Sequence, residues 1–214
     1  MKKITSILFA SIIFTTSAFA GGLVGLKVGI GELEATRGEI VNTPATLNEA
    51  ADTKDIDHEY GAIYAEVNLN DSPVNAGLEF VPITGTISVA TDNTDASAEV
   101  GNLATAYLLA AKEVANGGSV YAKLGYSQAD IDNAKQSNGG TTINSFSDSL
   151  EGPMVGVGFQ SAANSLGLVF RAEATHTEFD DVSVNTTDTD GLVETKRASD
   201  ITFQTITISI AKTF

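Results

Sequence analysis

The sequence contains no cysteine, few basic residues and no long apolar run after its first twenty positions. Without cysteine, the chain has no disulfide framework and no thiol through which a lipid could anchor it. Lys and Arg number 12 against 27 Asp and Glu, so the formal net charge is -15 and nucleic-acid phosphates find no basic patch. Beyond residue 20, no segment approaches the run of about 18 apolar residues that a membrane-spanning helix needs.

The first twenty residues have the features of a secretory signal peptide. Lys2 and Lys3 form a charged start, an apolar run follows, and Ala18 and Ala20 supply a small-residue cleavage site. A membrane anchor is the alternative, but Ser and Thr residues interrupt the run, which is short for a spanning helix. The sequence therefore predicts a cleaved signal peptide at residues 1–20 and one exported domain at residues 21–214.

Alternation of apolar residues with polar or small ones recurs along this exported domain. Val24, Leu26, Val28 and Ile30 share one face of a predicted strand, and glycine and lysine occupy the other. Similar alternation occurs near residues 58–70, 76–91, 98–112, 119–130, 151–161, 166–179 and 203–214. The longest polar segments between strands are predicted to be loops: residues 37–56, 131–150 and 180–199. Short turns on one side and long loops on the other are typical of an up-and-down barrel.

The distribution of charge between the two strand faces separates a membrane barrel from a soluble one. Charged residues share a face with the glycines, whereas the opposite face is aliphatic, which is the reverse of a soluble sandwich. The predicted fold class is all-β, an eight-stranded antiparallel up-and-down transmembrane β-barrel. Its rival is a soluble barrel of the periplasm, and cell fractionation would distinguish the two.

The final twelve residues, FQTITISIAKTF, alternate up to the terminal aromatic residue. We predict that this strand pairs with residues 23–30 and closes the barrel without a free edge. Ile206, Ile208 and Ile210 would then face lipid, and the Thr and Ser residues between them would face the lumen.

Three strand motifs and the order of the strands carry a family resemblance. The motifs are SVYAKLGYS at residues 119–127, GVGFQ at residues 156–160 and FRAEATHTEF at residues 170–179. Together with the signal peptide and the terminal Phe214, they make the chain resemble the OmpA-like small outer-membrane β-barrels. The resemblance implies a location in the outer membrane of a Gram-negative bacterium, in contact with outer-membrane lipid and lipopolysaccharide.

The resemblance also implies that the barrel-assembly machinery recognises the last strand during insertion. The assembly signal would comprise Ile206, Ile208, Ile210 and Phe214. Lys212 departs from the family pattern, which usually has an apolar or aromatic residue third from the end; near a membrane edge a lysine can extend towards the head groups.

Six charged side chains are predicted to face the lumen: Lys27, Glu66, Glu79, Lys123, Arg171 and Glu173. Eight strands leave an interior that side chains fill, so charges there must pair or be hydrated. We interpret these three bases and three acids as a structural plug of ion pairs. The alternative is a narrow gated pore, in which Arg171 with Glu173 or Glu79 would form the switch.

Catalysis is a further candidate, because some barrels of this size modify lipids with His, Ser and an acid. His58 and His176 are the two histidines, and His176 shares a strand face with Glu178. No G-x-S-x-G motif occurs, and no serine adjoins either histidine in sequence. The sequence therefore predicts that the protein is not an enzyme and needs no cofactor.

Acidic residues are concentrated in the predicted loops, where they could bind a divalent cation. The candidate metal ligands in the last loop are Asp180, Asp181, Asp188 and Asp190, because carboxylates suit Ca²⁺ or Mg²⁺. The spacing of a calcium-binding EF-hand is absent, so solvated anionic loops are the preferred interpretation. The expected function is that of a monomeric outer-membrane barrel with a structural or surface-interaction role, and a small pore and a lipid-modifying enzyme are the alternatives.

Overall fold

The computed structural model describes residues 21–37, 52–69, 72–82, 85–91, 94–114, 117–138, 141–142, 146–187 and 193–214. The predicted signal peptide lies outside these residues. The strands are β1 (Gly22–Arg37), β2 (Asp52–Asn68), β3 (Val74–Val81), β4 (Gly85–Thr91), β5 (Thr94–Glu113), β6 (Ser119–Asn138), β7 (Thr141–Thr142), β8 (Phe146–Gln160), β9 (Leu168–Phe179), β10 (Val182–Thr187) and β11 (Val193–Thr213). No helix in the described ranges is long and apolar enough to cross a membrane.

These strands form one closed antiparallel barrel with eight positions in its wall. Three positions are each shared by two consecutive strands: β3 with β4, β7 with β8, and β9 with β10. The gap between β3 and β4 contains Pro82, which has no backbone N–H to donate to a neighbouring strand. The predicted fold class is therefore confirmed.

Pairing of the first and last strands closes the barrel. The register runs from Leu23 opposite Thr213 to Ile30 opposite Ile206. Hydrogen bonds continue to the last residue, with 3.0 Å between the Phe214 nitrogen and the Gly22 carbonyl oxygen. The predicted pairing is confirmed, and it leaves no unpaired edge on either strand.

The strands are longer than the sequence predicts on the side of the long connections. β6 continues to Asn138 and β11 begins at Val193, so parts of all three predicted loops are strand. Asp55, which lies in the segment predicted to be a loop, is therefore part of β2, as are Asp57 and Glu59. These extensions lack an aliphatic face, so the period-two hydrophobic signal disappears although backbone pairing continues.

The outer wall carries a band of exposed aliphatic and aromatic side chains, which we call the outer belt. Its members are Leu26, Val28, Ile30, Leu108, Val120, Leu124, Tyr126, Val155, Val157, Phe159, Phe170, Ile206, Ile208 and Ile210. Ile206 is 66% exposed, whereas its neighbour Thr207 is 2% exposed. The last strand thus has aliphatic residues outside and hydroxyl residues inside, as predicted.

The inward side chains of β9 show how the lumen is layered. They read, from the end with the short turns, Val169, Arg171, Glu173, Thr175, Thr177 and Phe179. The lumen therefore passes from an apolar layer through a charged layer and a hydroxyl layer to a second apolar layer. This second layer has Ala129, Leu150, Phe179 and Ile201 at its centre.

Candidate functional site

All six charged residues predicted for the lumen lie in the charged layer. Four of them form a closed ring of ion pairs, in which each lysine contacts both carboxylates. Lys27 Nζ lies 2.6 Å from oxygens of both Glu79 and Glu173. Lys123 Nζ lies 2.8 Å from the same Glu79 oxygen and 3.2 Å from the same Glu173 oxygen. We call this arrangement the lysine–glutamate ring.

The remaining two charges form a bidentate pair. Arg171 donates from Nη1 to Glu66 Oε1 at 2.6 Å and from Nη2 to Glu66 Oε2 at 2.8 Å. The side chains are 4% and 1% exposed, so the pair is almost completely desolvated. Gln160 accepts a third hydrogen bond, from Arg171 Nε at 2.9 Å. Parallel bonds of this kind are among the stronger and more directional ones in proteins.

The pairing of Arg171 differs from the switch considered for a pore. That hypothesis paired Arg171 with Glu173 or Glu79, whereas the structure pairs it with Glu66. Both of the other carboxylates already accept hydrogen bonds from two lysines. Because the β-barrel is closed, Glu66 of β2 reaches Arg171 of β9 across the lumen, a contact that strand periodicity does not reveal.

Buried tyrosines complete the hydrogen bonding of the charged layer. Tyr107 donates to Glu66 Oε1 at 2.8 Å, and Tyr121 donates to Glu173 Oε2 at 3.0 Å. The Lys123 ammonium lies 3.8 Å from the centroid of the Tyr107 ring, within range of a cation–π contact. Sequence reasoning did not include these tyrosines among the site residues.

The strand register carries a signal that could have identified them, because these two tyrosines and Tyr64, which is also buried, each stand directly opposite a glycine on the neighbouring strand. The pairs are Gly25 with Tyr64, Gly77 with Tyr107, and Gly158 with Tyr121. A Cβ atom added at Gly77 would lie 2.6 Å from the Tyr107 hydroxyl oxygen, so the ring occupies the space of the missing side chain. These glycines let three large rings fit around the ion pairs in a narrow lumen.

Uncharged layers enclose the charged layer on both sides. On one side, hydroxyls bond to each other, with 2.8 Å between Thr105 and Ser127 and 2.7 Å between Thr175 and Thr205. Beyond them lies the second apolar layer, to which Leu103 and Phe203 also contribute. The described lumen is thus filled by side chains whose charges neutralise each other.

The other predicted site residues lie outside the lumen or outside the described residues. His176 and Glu178 are exposed on the outer wall, and the side chain of His58 is not among those described. Asp180 and Asp181 are exposed, Asp188 and Asp190 lie outside the described residues, and no metal-binding group of His, Cys, Asp and Glu occurs within the described ranges.

The residues of the predicted assembly signal lie on the outer wall and at the chain end. Ile206, Ile208 and Ile210 belong to the outer belt, and Phe214 is 56% exposed. Lys212 donates a hydrogen bond to the Leu166 carbonyl oxygen in the turn between β8 and β9. Lys212, which departs from the family pattern, therefore links the last strand to the turn between β8 and β9.

The barrel resembles solved outer-membrane proteins at low sequence identity. The outer membrane protein OprG from Pseudomonas aeruginosa aligns with a TM-score of 0.66 and 10% identity, over 92% of this chain and 98% of that one. Neisserial surface protein A aligns with a TM-score of 0.48 and 10% identity, over 88% and 97% of the two chains. No protein-family model matches the chain, and no curated protein matches it in sequence. The likeness to OprG shows that this chain has the fold of an eight-stranded outer-membrane barrel.

Proposed function

We propose that this protein is a sealed barrel of the OmpA-like type, anchored in the outer membrane of a Gram-negative bacterium. Its role is structural and interactive: it holds an acidic β-sheet wall outside the membrane. The observation that carries the proposal is the inverted polarity of the wall, with an aliphatic belt outside and paired charges inside.

The outer belt supports the membrane location. Val28, Ile30, Val157, Ile206 and Ile208 are each more than half exposed, and they are neighbours in the barrel wall. Monomeric soluble proteins rarely expose contiguous apolar patches larger than a few hundred Å². In a bilayer the same surface would be buried in lipid, and a closed sheet satisfies the backbone hydrogen bonds that a spanning structure needs.

The layered lumen supports a sealed barrel rather than a pore. An ion crossing it would have to displace paired charges and then pass the apolar layer around Leu150 and Phe179. Each of the six charges in the charged layer already has a partner of opposite charge at hydrogen-bonding distance, so separating them would leave buried charges unpaired. We therefore assign the ring and the Arg171–Glu66 pair to closure of the lumen.

The part of the wall beyond the outer belt supports a role in surface interaction. Glu32 of β1 and Asp55, Asp57 and Glu59 of β2 are exposed there, on strands that remain paired. Such a wall holds its charges in fixed positions, unlike a solvated loop. Lipopolysaccharide is the partner that we expect around it, and the assembly machinery is the partner that we expect to act on β11 during insertion.

Fractionation and conductance measurements test this proposal together. We expect the protein in the outer-membrane fraction, with faster gel migration when unheated than after boiling, and no conductance steps in planar bilayers. Recovery in the osmotic-shock supernatant would contradict the membrane location. Conductance steps that disappear in Arg171→Ala would instead support the pore alternative, and Glu113→Gln, at an exposed position, is the control variant.

A further inference from the structure

A groove of about 920 Å³ lies on the outer wall, at the edge of the outer belt where the acidic part of the wall begins. It crosses five neighbouring strands, β2, β1, β11, β9 and β8. Neighbouring strands are about 4.8 Å apart, so the groove is about 19 Å wide. No contact assigned above to the lumen involves its outward side chains, and a ligand of more than one acyl chain's width would fit it.

On the belt side, the groove continues into a furrow that runs along β9. The outward residues Ala172 and Ala174 form the floor of this furrow. Their cross-strand partners are larger and form its two walls: Ile208 and Ile206 on β11, and Phe159 and Val157 on β8. The walls are two strand separations apart, about 10 Å, which leaves room for one extended hydrocarbon chain over the alanines.

The furrow and the groove form one continuous site. Phe170, which is exposed in the belt, closes the furrow at one end, and His176 lies where it enters the groove. Six residues of strand separate the two, about 20 Å. Ala174 belongs to both features. The site therefore has an apolar tail along the strand and a polar head across the strands, which is the shape of a lipid with a broad head group.

The polar head of the site has hydrogen-bond acceptors on one side and donors on the other. Glu32 pairs with Asp57 across β1 and β2, and Glu59 is the next outward residue of β2. On the opposite side, Gln204 of β11 pairs with His176 of β9. Carboxylates accept hydrogen bonds, whereas an amide and an imidazole can donate them. A ligand needs hydroxyl or N–H groups at one side and an anionic acceptor at the other.

An acylated sugar phosphate has its groups in this order. Sugar hydroxyl and amide N–H groups would donate to the carboxylates, and a phosphate would accept from Gln204 and His176. A phosphate at the acidic side would instead meet like charge. The two sides, on β2 and β9, are three strand separations apart, about 14 Å, which a single glycerol phosphate does not bridge.

We propose that the groove and the furrow bind one molecule of lipid A, the acylated disaccharide phosphate of lipopolysaccharide. One acyl chain would lie over Ala172 and Ala174, and one phosphate at Gln204 and His176. The inference rests on the proposed function, which places the acidic wall outside the membrane with lipopolysaccharide around it. It adds a defined site and a defined orientation for that lipid.

Fluorescence quenching tests the site, because the chain has no tryptophan and a single introduced one reports its own surroundings. Val157→Trp lies at the furrow, and Leu108→Trp, in the outer belt on β5, is the reference position. The vesicles contain phosphatidylcholine with brominated acyl chains, which quench, and one unbrominated lipid A per ten lipids. A tenfold preference for lipid A should restore about half of the Val157→Trp fluorescence, and random mixing should restore about a tenth for Leu108→Trp. Equal recovery at the two positions would overturn the proposal.

Matched variants in the Val157→Trp background test the furrow. Ala174→Phe should abolish the preferential recovery, because the new ring would fill the space of the acyl chain. Ala110→Phe, at an exposed position on β5, should leave it unchanged. Heat-modifiable migration shows that each variant is folded, and a preference that survives Ala174→Phe in a folded protein would overturn the proposal.

A second pair of variants tests the place of the phosphate. Gln204→Leu combined with His176→Leu should lower the recovery with phosphorylated lipid A to the value found with dephosphorylated lipid A. Glu113→Gln, an exposed acid at the other end of the barrel, should leave it unchanged. A double variant that still distinguishes the two lipids would overturn the orientation.

Two further outcomes have distinct meanings. Recovery that requires Mg²⁺ and is lost with a chelator would show that the acids bind the phosphate through a cation, which overturns the placement at Gln204 and His176. Failure of the wild-type chain to insert into any bilayer would overturn the proposed function as well. A folded, heat-modifiable protein in the bilayer without preferential recovery at Val157→Trp would overturn this inference alone.

Discussion

At the scale of single residues, the pair Arg171–Glu66 is almost completely desolvated, with side chains that are 4% and 1% exposed. Four donors reach the Glu66 carboxylate, because Tyr107 and Asn75 add to the two guanidinium bonds. Buried ion pairs of this kind contribute little net stability relative to apolar residues, but removal of one partner leaves a charge unpaired. We therefore expect the substitution of one partner alone to cost more free energy of unfolding than the replacement of both partners by apolar residues.

We expect Glu66→Gln to lower the free energy of unfolding by about 3–5 kcal/mol, because Arg171 would remain buried without a counter-charge. Urea unfolding in lipid vesicles, followed by far-UV circular dichroism, measures the loss; tryptophan fluorescence is not an option, since the chain has no tryptophan. Glu113→Gln, at an exposed position, should change the same quantity by no more than about 0.5 kcal/mol. If Glu66→Leu combined with Arg171→Met lost as much as the two single changes added together, the ion-pair explanation would be wrong.

At the scale of a strand, β11 passes through two environments. Ile206, Ile208 and Ile210 face outward in the belt, whereas Gln204, four residues before Ile208, faces outward at its edge. Both positions are exposed in the isolated protein, so solvent exposure alone does not distinguish them. A bilayer around the belt would surround position 208 with lipid chains and leave position 204 at the membrane interface.

We expect Ile208→Lys to destabilise the folded protein in vesicles by about 2–4 kcal/mol, and Gln204→Lys by about 0–1 kcal/mol, because the cost of a lysine falls towards the membrane interface. Urea titration of both variants in the same vesicles measures the difference. Equal effects at the two positions would contradict the placement of the belt in the bilayer.

The same two environments explain which strand segments the sequence could reveal. Around Val28 and Ile208 the two faces differ in polarity, so the alternation identified the strands and the closing pair. At Asp57 and along the end of β6 both strand faces are polar, so the sequence of these paired segments resembles that of a loop. Periodicity put Arg171 and Glu66 on the inward strand faces, where both are buried in the structure, but their pairing depends on the stagger of a closed barrel, which one strand does not encode.

At the scale of the whole molecule, the barrel is packed like a soluble protein beyond its charged layer. Leu150 is 3% exposed and packs with Ala129, Phe179 and Ile201 inside the wall. This apolar layer gives the part of the barrel beyond the hydroxyl layer a core of its own. It also adds a second barrier above the lysine–glutamate ring.

We expect Leu150→Ala to reduce the free energy of unfolding by about 2–5 kcal/mol, since it removes buried methyl groups and leaves a cavity. Leu166→Ala is the matched control, because Leu166 is 66% exposed in a turn and should contribute less than about 0.5 kcal/mol. Thermal unfolding in micelles and urea unfolding in vesicles should agree. A Leu150→Ala variant as stable as the control would mean that this layer is not packed in solution.

The three glycine–tyrosine pairs carry a consequence for the evolution of the sequence. Each glycine is small because its cross-strand tyrosine takes up its volume, so neither residue can change freely while the other stays. In descendants of this sequence, a side chain gained at position 25, 77 or 158 should accompany a smaller residue at position 64, 107 or 121. The two residues of each pair would then change together. Correlated substitutions at these pairs in related sequences would show which residues face each other across neighbouring strands.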